Sequence, residues 1–137
     1  MRNECKSIDY VCPWTSEILK ARFVVDSYVN GNGTYIGLRT WNEEYQFWES
    51  YCDITVNIPY SGVNLKSTER IVECFVDTNN EPELDRWLVE SGFAYYTNKH
   101  GQSGFCTYPV LRFDMRKVAE YSDHFGKVYP LTDFVVI

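Results

Sequence analysis

The chain has 137 residues, 45% of them hydrophobic and 17% aromatic, with a formal net charge of −6. That is the size of one domain, with enough apolar side chains to bury a core, which excludes an intrinsically disordered segment. No apolar run is long enough to span a bilayer. "MRNECKSIDY" at the N-terminus lacks the apolar stretch of a secretory signal, so a soluble cytoplasmic protein is expected.

Residues 1–20 are read as an irregular N-terminal segment. "ARFVVDSYV" (21–29) alternates at period two, with Phe23, Val25 and Val29 on one face. "NGNG" (30–33) is a turn that tolerates positive φ, and "TYIGLRTW" (34–41) is the return strand of a hairpin. "NEEYQFWES" (42–50) is an exposed connector. "CDITVNIP" (52–59) sets Cys52, Ile54, Val56 and Ile58 against Asp53, Thr55 and Asn57, a half-buried strand closed by Pro59. "RIVECFVDT" (70–78) is apolar on both faces, as a central strand should be.

A helix is predicted near 81–92. Asn80 and Glu83 have capping-box spacing, Pro82 suits the first turn, and Leu84, Trp87 and Leu88 form an apolar stripe. Gly92 stands where a left-handed residue ends a helix. "FCTYPVLRFD" (105–114) is a further strand, its Pro109 favouring an edge or a bulge, and a second short helix falls near 115–122. "GKVYPLTDFVVI" (126–137) ends in an apolar run expected to pack. This order predicts one α+β domain over 1–137. A mostly antiparallel sheet within 21–137 would carry about two helices on one face.

Charge is unevenly placed. Residues 40–90 hold eleven acids and three bases, a balance of −8, which leaves +2 for the rest. An acidic middle repels phosphate backbones and attracts basic protein surfaces, so no direct nucleic-acid binding is expected. Acidic residues also serve simply to keep a small domain soluble. Trp41, Tyr45 and Trp48 lie among Glu43, Glu44 and Glu49, and rings beside acids suit a protein–protein anchor better than base stacking. These six are the candidate partner-binding residues; the alternative is that the rings pack the sheet.

Five widely spaced cysteines and two histidines offer no metal-ligand spacing, and no metal or cofactor is expected. "DTNN" (77–80) lacks the calcium-loop pattern and reads as strand end, turn and cap. In "HGQSGFCTYP" (100–109), Cys106 and His100 would serve a thiol-dependent enzyme if they met. Phe105 takes the last glycine place of G-x-S-x-G, so no nucleophile elbow is encoded. The stretch reads as a glycine turn delivering a buried Cys106 into a strand.

"ITVNIP" (54–59), "FVDTNN" (75–80) and "GQSGFCTYPVLRFD" (101–114) together resemble a family of small uncharacterised bacterial proteins carried on plasmids, phages and conjugative elements. The resemblance covers about residues 54–121 and carries over no catalytic residue. It implies a mobile-element setting, where small acidic proteins often inhibit host defence. The leading expectation is therefore a non-enzymatic inhibitor of a bacterial defence nuclease, a CRISPR effector first and a restriction enzyme second. A thiol-dependent hydrolase or transferase using Cys106 and His100 is one alternative. An accessory or structural protein of conjugation is another. Partner identity and oligomeric state are not encoded.

Overall fold

A computed structural model describes residues 5–28, 33–59, 61–68 and 70–125. Among them the chain runs β1 (Ile8–Val11), β2 (Ile18–Ser27), β3 (Thr34–Asn42), β4 (Phe47–Asp53), β5 (Thr55–Val56) and β6 (Ile71–Val76). It continues with α1 (Leu84–Glu90), β7 (Ala94–Ser103), β8 (Cys106–Asp114), α2 (Met115–Glu120) and β9 (Ser122–Phe125). The strands form two sheets rather than one. The first has the order β1-β2-β3-β4, with β9 also on β2, and the second is β5-β6-β8-β7. All pairings are antiparallel except β2–β9. β1 pairs with residues 18–21 of β2 and β9 with residues 23–25, so the two share one edge of β2 end to end.

Period-two alternation explains the first sheet. Phe23 lies opposite Leu38 and Val25 opposite Ile36, and all four are buried on the same face. That face meets Val72, Cys74, Val76, Leu111 and Phe113 of the second sheet. Leu84 and Leu88 of α1 and Met115 and Val118 of α2 enter the same core, which makes one α+β domain. The other face of the second sheet buries Phe75, Tyr108 and Val110 under Ile58 and Val63 of the following loop. β6 is thus apolar on both sides, as its composition predicts.

Several expectations are corrected. The irregular segment 1–20 contains β1 and the start of β2, and the connector 42–50 turns into β4 at Phe47. The strand foreseen over 52–59 breaks at Ile54. That residue's N–H donates to the Ile36 carbonyl of the first sheet at 2.9 Å, and its carbonyl accepts from Asp77 N–H of the second at 2.8 Å. A strand that changes sheets must bend where it crosses. The first helix is shorter than 81–92. Its N-cap is Glu83 in the left-handed region, with no side-chain cap, while Asn80 binds Asp77 instead through its backbone N–H (3.0 Å) and Nδ2 (2.8 Å). The second helix stops at Glu120, and Ser122 begins β9.

Other features fall where the sequence places them. Gly92 has φ +84 and ends α1, its N–H donating to Val89 and that of Phe93 to Leu88. Asp114 caps α2 by accepting from the N–H groups of Arg116 and Lys117. The edge position that Pro109 favours is not found, because β8 lies between β6 and β7. Pro109 is accommodated there because pairing with β6 stops at Val110 and β7 is out of register between Tyr96 and His100. The apolar tail 126–137 and most of the 30–33 turn lie outside the described residues.

Candidate partner-binding surface

The six predicted residues fall on one hairpin, β3–β4. Asn42 starts its turn: the side-chain carbonyl accepts from Tyr45 N–H at 2.9 Å, and its backbone carbonyl accepts from Gln46 N–H at 2.8 Å. Gln46 takes a positive φ of 60°, which closes the turn. Trp41 and Trp48 face each other across the strands, edge to face, with ring centroids 5.5 Å apart. The Arg22 guanidinium, from β2, stacks on Trp48 at 4.3 Å. Both indoles are half-buried on the outer face of the sheet, and Tyr45 (68% exposed) and Phe47 (46%) project at the tip. Glu43 accepts from Trp41 Nε1 and Gln46 Nε2, and Glu49 accepts from Asn42 Nδ2. Glu44 is exposed beside them.

Sequence reasoning missed the β1–β2 turn. It closes through Cys12 N–H to Glu17 C=O and Ser16 N–H to Cys12 C=O, both 2.8 Å. Val11 (53%), Trp14 (66%) and Ile18 (66%) stand exposed around it. The signal was present as "PWTS", turn-forming residues between the apolar pairs "VC" and "IL". Because β2 and β3 are antiparallel, this turn and the β3–β4 turn lie at the same end of the sheet.

Behind these turns, side chains from the outer strands β1 and β4 of the first sheet reach each other. The register slips between Leu38 and Arg39, leaving Tyr51 as an extra residue in β4. Its ring lies 5.6 Å from that of Tyr10 in β1, and its hydroxyl is 2.9 Å from Glu81 Oε2 and 3.2 Å from Cys12 Sγ. Tyr10 donates to the same Glu81 oxygen. Burial and then the Glu81 hydrogen bond push the Tyr10 hydroxyl far above its usual range. The Cys12 thiol is instead lowered to about 7, chiefly by the Tyr51 hydroxyl and then by the Thr15 side chain.

The structure does not bring the proposed thiol pair together. His100 lies opposite Pro109, whereas Cys106 shares the other face of β8 with Tyr108, so the two side chains point to opposite sides. Cys106 is half-buried, not fully buried as expected, and the tight turn is Gly104–Phe105, after β7 has run through Ser103. His100–Ser103 are strand, and Gly101 is tight against the Phe75 ring, which would sit 2.1 Å from an added Cβ. Among the described residues no three of His, Cys, Asp or Glu gather as metal ligands.

A cavity of about 340 Å³ lies beside β6, walled by Ile58, Pro59, Val63, Leu65 and Phe75. Its acid, Glu73, is fully engaged. Glu73 Oε1 accepts from Lys66 N–H (2.9 Å) and Lys99 Nζ (2.8 Å), and Oε2 from Arg112 Nε (3.2 Å) and Nη2 (2.9 Å). Burial pulls its pKa up, but Lys99, Lys66 N–H and Arg112 outweigh this and hold it at about 2.

No described helix is long and apolar enough to cross a membrane. No curated protein and no solved structure matches the chain. A family model does match, over residues 23–130, a span that takes in the second sheet, both helices and most of the core just described, but leaves out β1 and the start of β2. On that match the chain belongs to DUF4313, a domain-of-unknown-function family.

Proposed function

We propose that the protein is a non-enzymatic binding module that docks on a basic protein surface through the β3–β4 hairpin. One observation carries this reading. The hairpin tip presents exposed Tyr45 and Phe47 among Glu43 and Glu44, and residues 41–49 contain no base to neutralise them. Rings supply contact area, while acids steer and orient a basic partner. Glu43 is already held by Trp41 and Gln46, so less side-chain freedom is lost on docking.

The partner class is a bacterial defence nuclease, a CRISPR effector first and a restriction enzyme second. Support for it is the resemblance of "ITVNIP", "FVDTNN" and "GQSGFCTYPVLRFD" to proteins of mobile elements, together with an acidic tip suited to a nucleic-acid channel. The test is DNA cleavage by such nucleases with wild type and with Glu43→Lys/Glu44→Lys. Wild type should inhibit and compete with the nuclease's nucleic acid. The double variant should bind at least about tenfold more weakly at about 0.15 M salt, with a smaller difference at about 0.5 M. Equal inhibition by both proteins removes the hairpin from the mechanism. Inhibition of no nuclease puts the accessory protein of conjugation in front.

A further inference from the structure

We propose that the β1–β2 turn is the apolar half of the same docking surface. Trp14, backed by Val11 and Ile18, would enter an apolar recess on the partner that is bordered by lysine or arginine. The inference rests on the hairpin reading above for the position of the surface, not for the identity of the partner.

Three observations support it. First, the two turns share one end of the sheet. Val11 lies directly opposite Ile18, on the outer face that Trp41 and Trp48 also occupy. Val11 and Ile18 are therefore adjacent on that face, with Trp14 in the turn that joins their strands, while Phe47, next to Trp48 in β4, points to the other face.

Second, the turn is built and not loose. Two 2.8 Å backbone hydrogen bonds close it, and Tyr51 ties Cys12 to β4 at 3.2 Å. A large indole held out at 66% exposure on a closed turn has the form of an anchor, since little ordering remains to be done on binding.

Third, charge selects the occupant. Glu17, Glu43 and Glu44 border the patch; of the cations on this face, Lys20 is already paired with Asp9 at 3.0 Å, and Arg22 is stacked on Trp48 and donates to the Cys5 carbonyl at 2.9 Å. A second copy would set acids against acids. Anionic lipid and nucleic-acid phosphates would be repelled in the same way. A protein surface that is basic around an apolar recess satisfies both features.

The probe is a synthetic peptide alternating lysine and leucine, with a glutamate–leucine peptide as its charge-inverted control. Binding is read by anisotropy of labelled peptide. The lysine–leucine peptide should bind wild type and the control should not. Trp14→Ser should weaken binding at least about fivefold at both low and high salt. Glu43→Lys/Glu44→Lys should weaken it at about 0.15 M salt and much less at about 0.5 M. Asp85→Lys/Glu90→Lys, the same charge change placed on α1, should leave it within about twofold. Unfolding curves check that each variant is folded.

Wild-type affinity in Trp14→Ser overturns the proposal, as does an equal loss in the α1 variant. A blue-shifted tryptophan emission with phosphatidylcholine or phosphatidylserine vesicles would make the patch a membrane contact and also overturn it. So would a dimer abolished by Trp14→Ser. Failure of every nuclease assay with peptide binding intact would reject the nuclease and keep the surface.

Discussion

Tyr51 stands out of register in β4, which frees its ring to reach Glu81 and Cys12. Its single hydroxyl proton serves either Glu81 or the Cys12 sulfur, not both at once. When Cys12 is a thiol, its own proton can go to Tyr51 while Tyr51 donates to Glu81. When it ionises, Tyr51 turns its donor to the thiolate, which lowers the thiol to about 7. Alkylation by iodoacetamide, followed site by site with mass spectrometry, should therefore rise through pH 7 at Cys12. Cys52 and Cys74, both pushed up to about 12 by burial, should stay slow. Tyr51→Phe removes the donor, so the Cys12 midpoint should move up toward about 8.5. An unmoved midpoint would show that Tyr51 does not set it. Nothing in the spacing of Cys12, Tyr51 and Glu81 announces this contact, because a one-residue slip in pairing creates it. The separation of His100 from Cys106 is simpler, following from strand alternation once the hairpin register is known.

At the level of elements, α1 shows which features local sequence decides. Its Leu84 and Leu88 are buried as the helical period requires, and Gly92 ends it. Trp87 completes the stripe at half-burial, 4.8 Å from the Tyr10 ring and 6.0 Å from Phe93, with Nε1–H donating to Asp9 C=O at 3.1 Å. Trp87→Ala should cost about 3–5 kcal/mol in urea denaturation. Asn80→Ala should cost about 1 kcal/mol, through the Asp77 turn rather than through a helix cap. A negligible loss at Trp87 would mean that α1 is not held against the first sheet by this ring. Most of β2 was legible from its alternation, β3 from the turn signal before it, and β6 from an apolar run on both faces. The break at Ile54 and the parallel return of β9 were not, because their hydrogen-bond partners lie far away in the chain. The β3–β4 hairpin was legible as a cluster of rings and acids, although it was read as a connector. The β1–β2 turn was passed over because β1 is only four residues long and shows too little periodicity.

Across the whole molecule, Glu73 ties β6, β7, β8 and the backbone at Lys66 together through one carboxylate. Its folded pKa is depressed, so the stability it gives is present above the unfolded value and is lost as pH falls toward about 2. The size of the depression corresponds to about 3 kcal/mol at neutral pH. Glu73→Gln should lower the urea midpoint at pH 7 and flatten its decline between about pH 5 and 2. A variant with the wild-type pH profile would locate the acid sensitivity elsewhere.

The slipped registers also govern how the sheet margins meet other chains. β4 and β7 are outer strands, interrupted at Tyr51 and, in β7, between Tyr96 and His100, where Asn98 turns left-handed at φ 69°. The remaining margin of the second sheet, β5, is two residues long. A fibril grows by laying strand after strand along an unbroken row of free N–H and C=O groups, and these margins break that row within a few residues. Along these three described margins the sheets are thereby poor templates for strand-on-strand growth, despite the many aromatic residues.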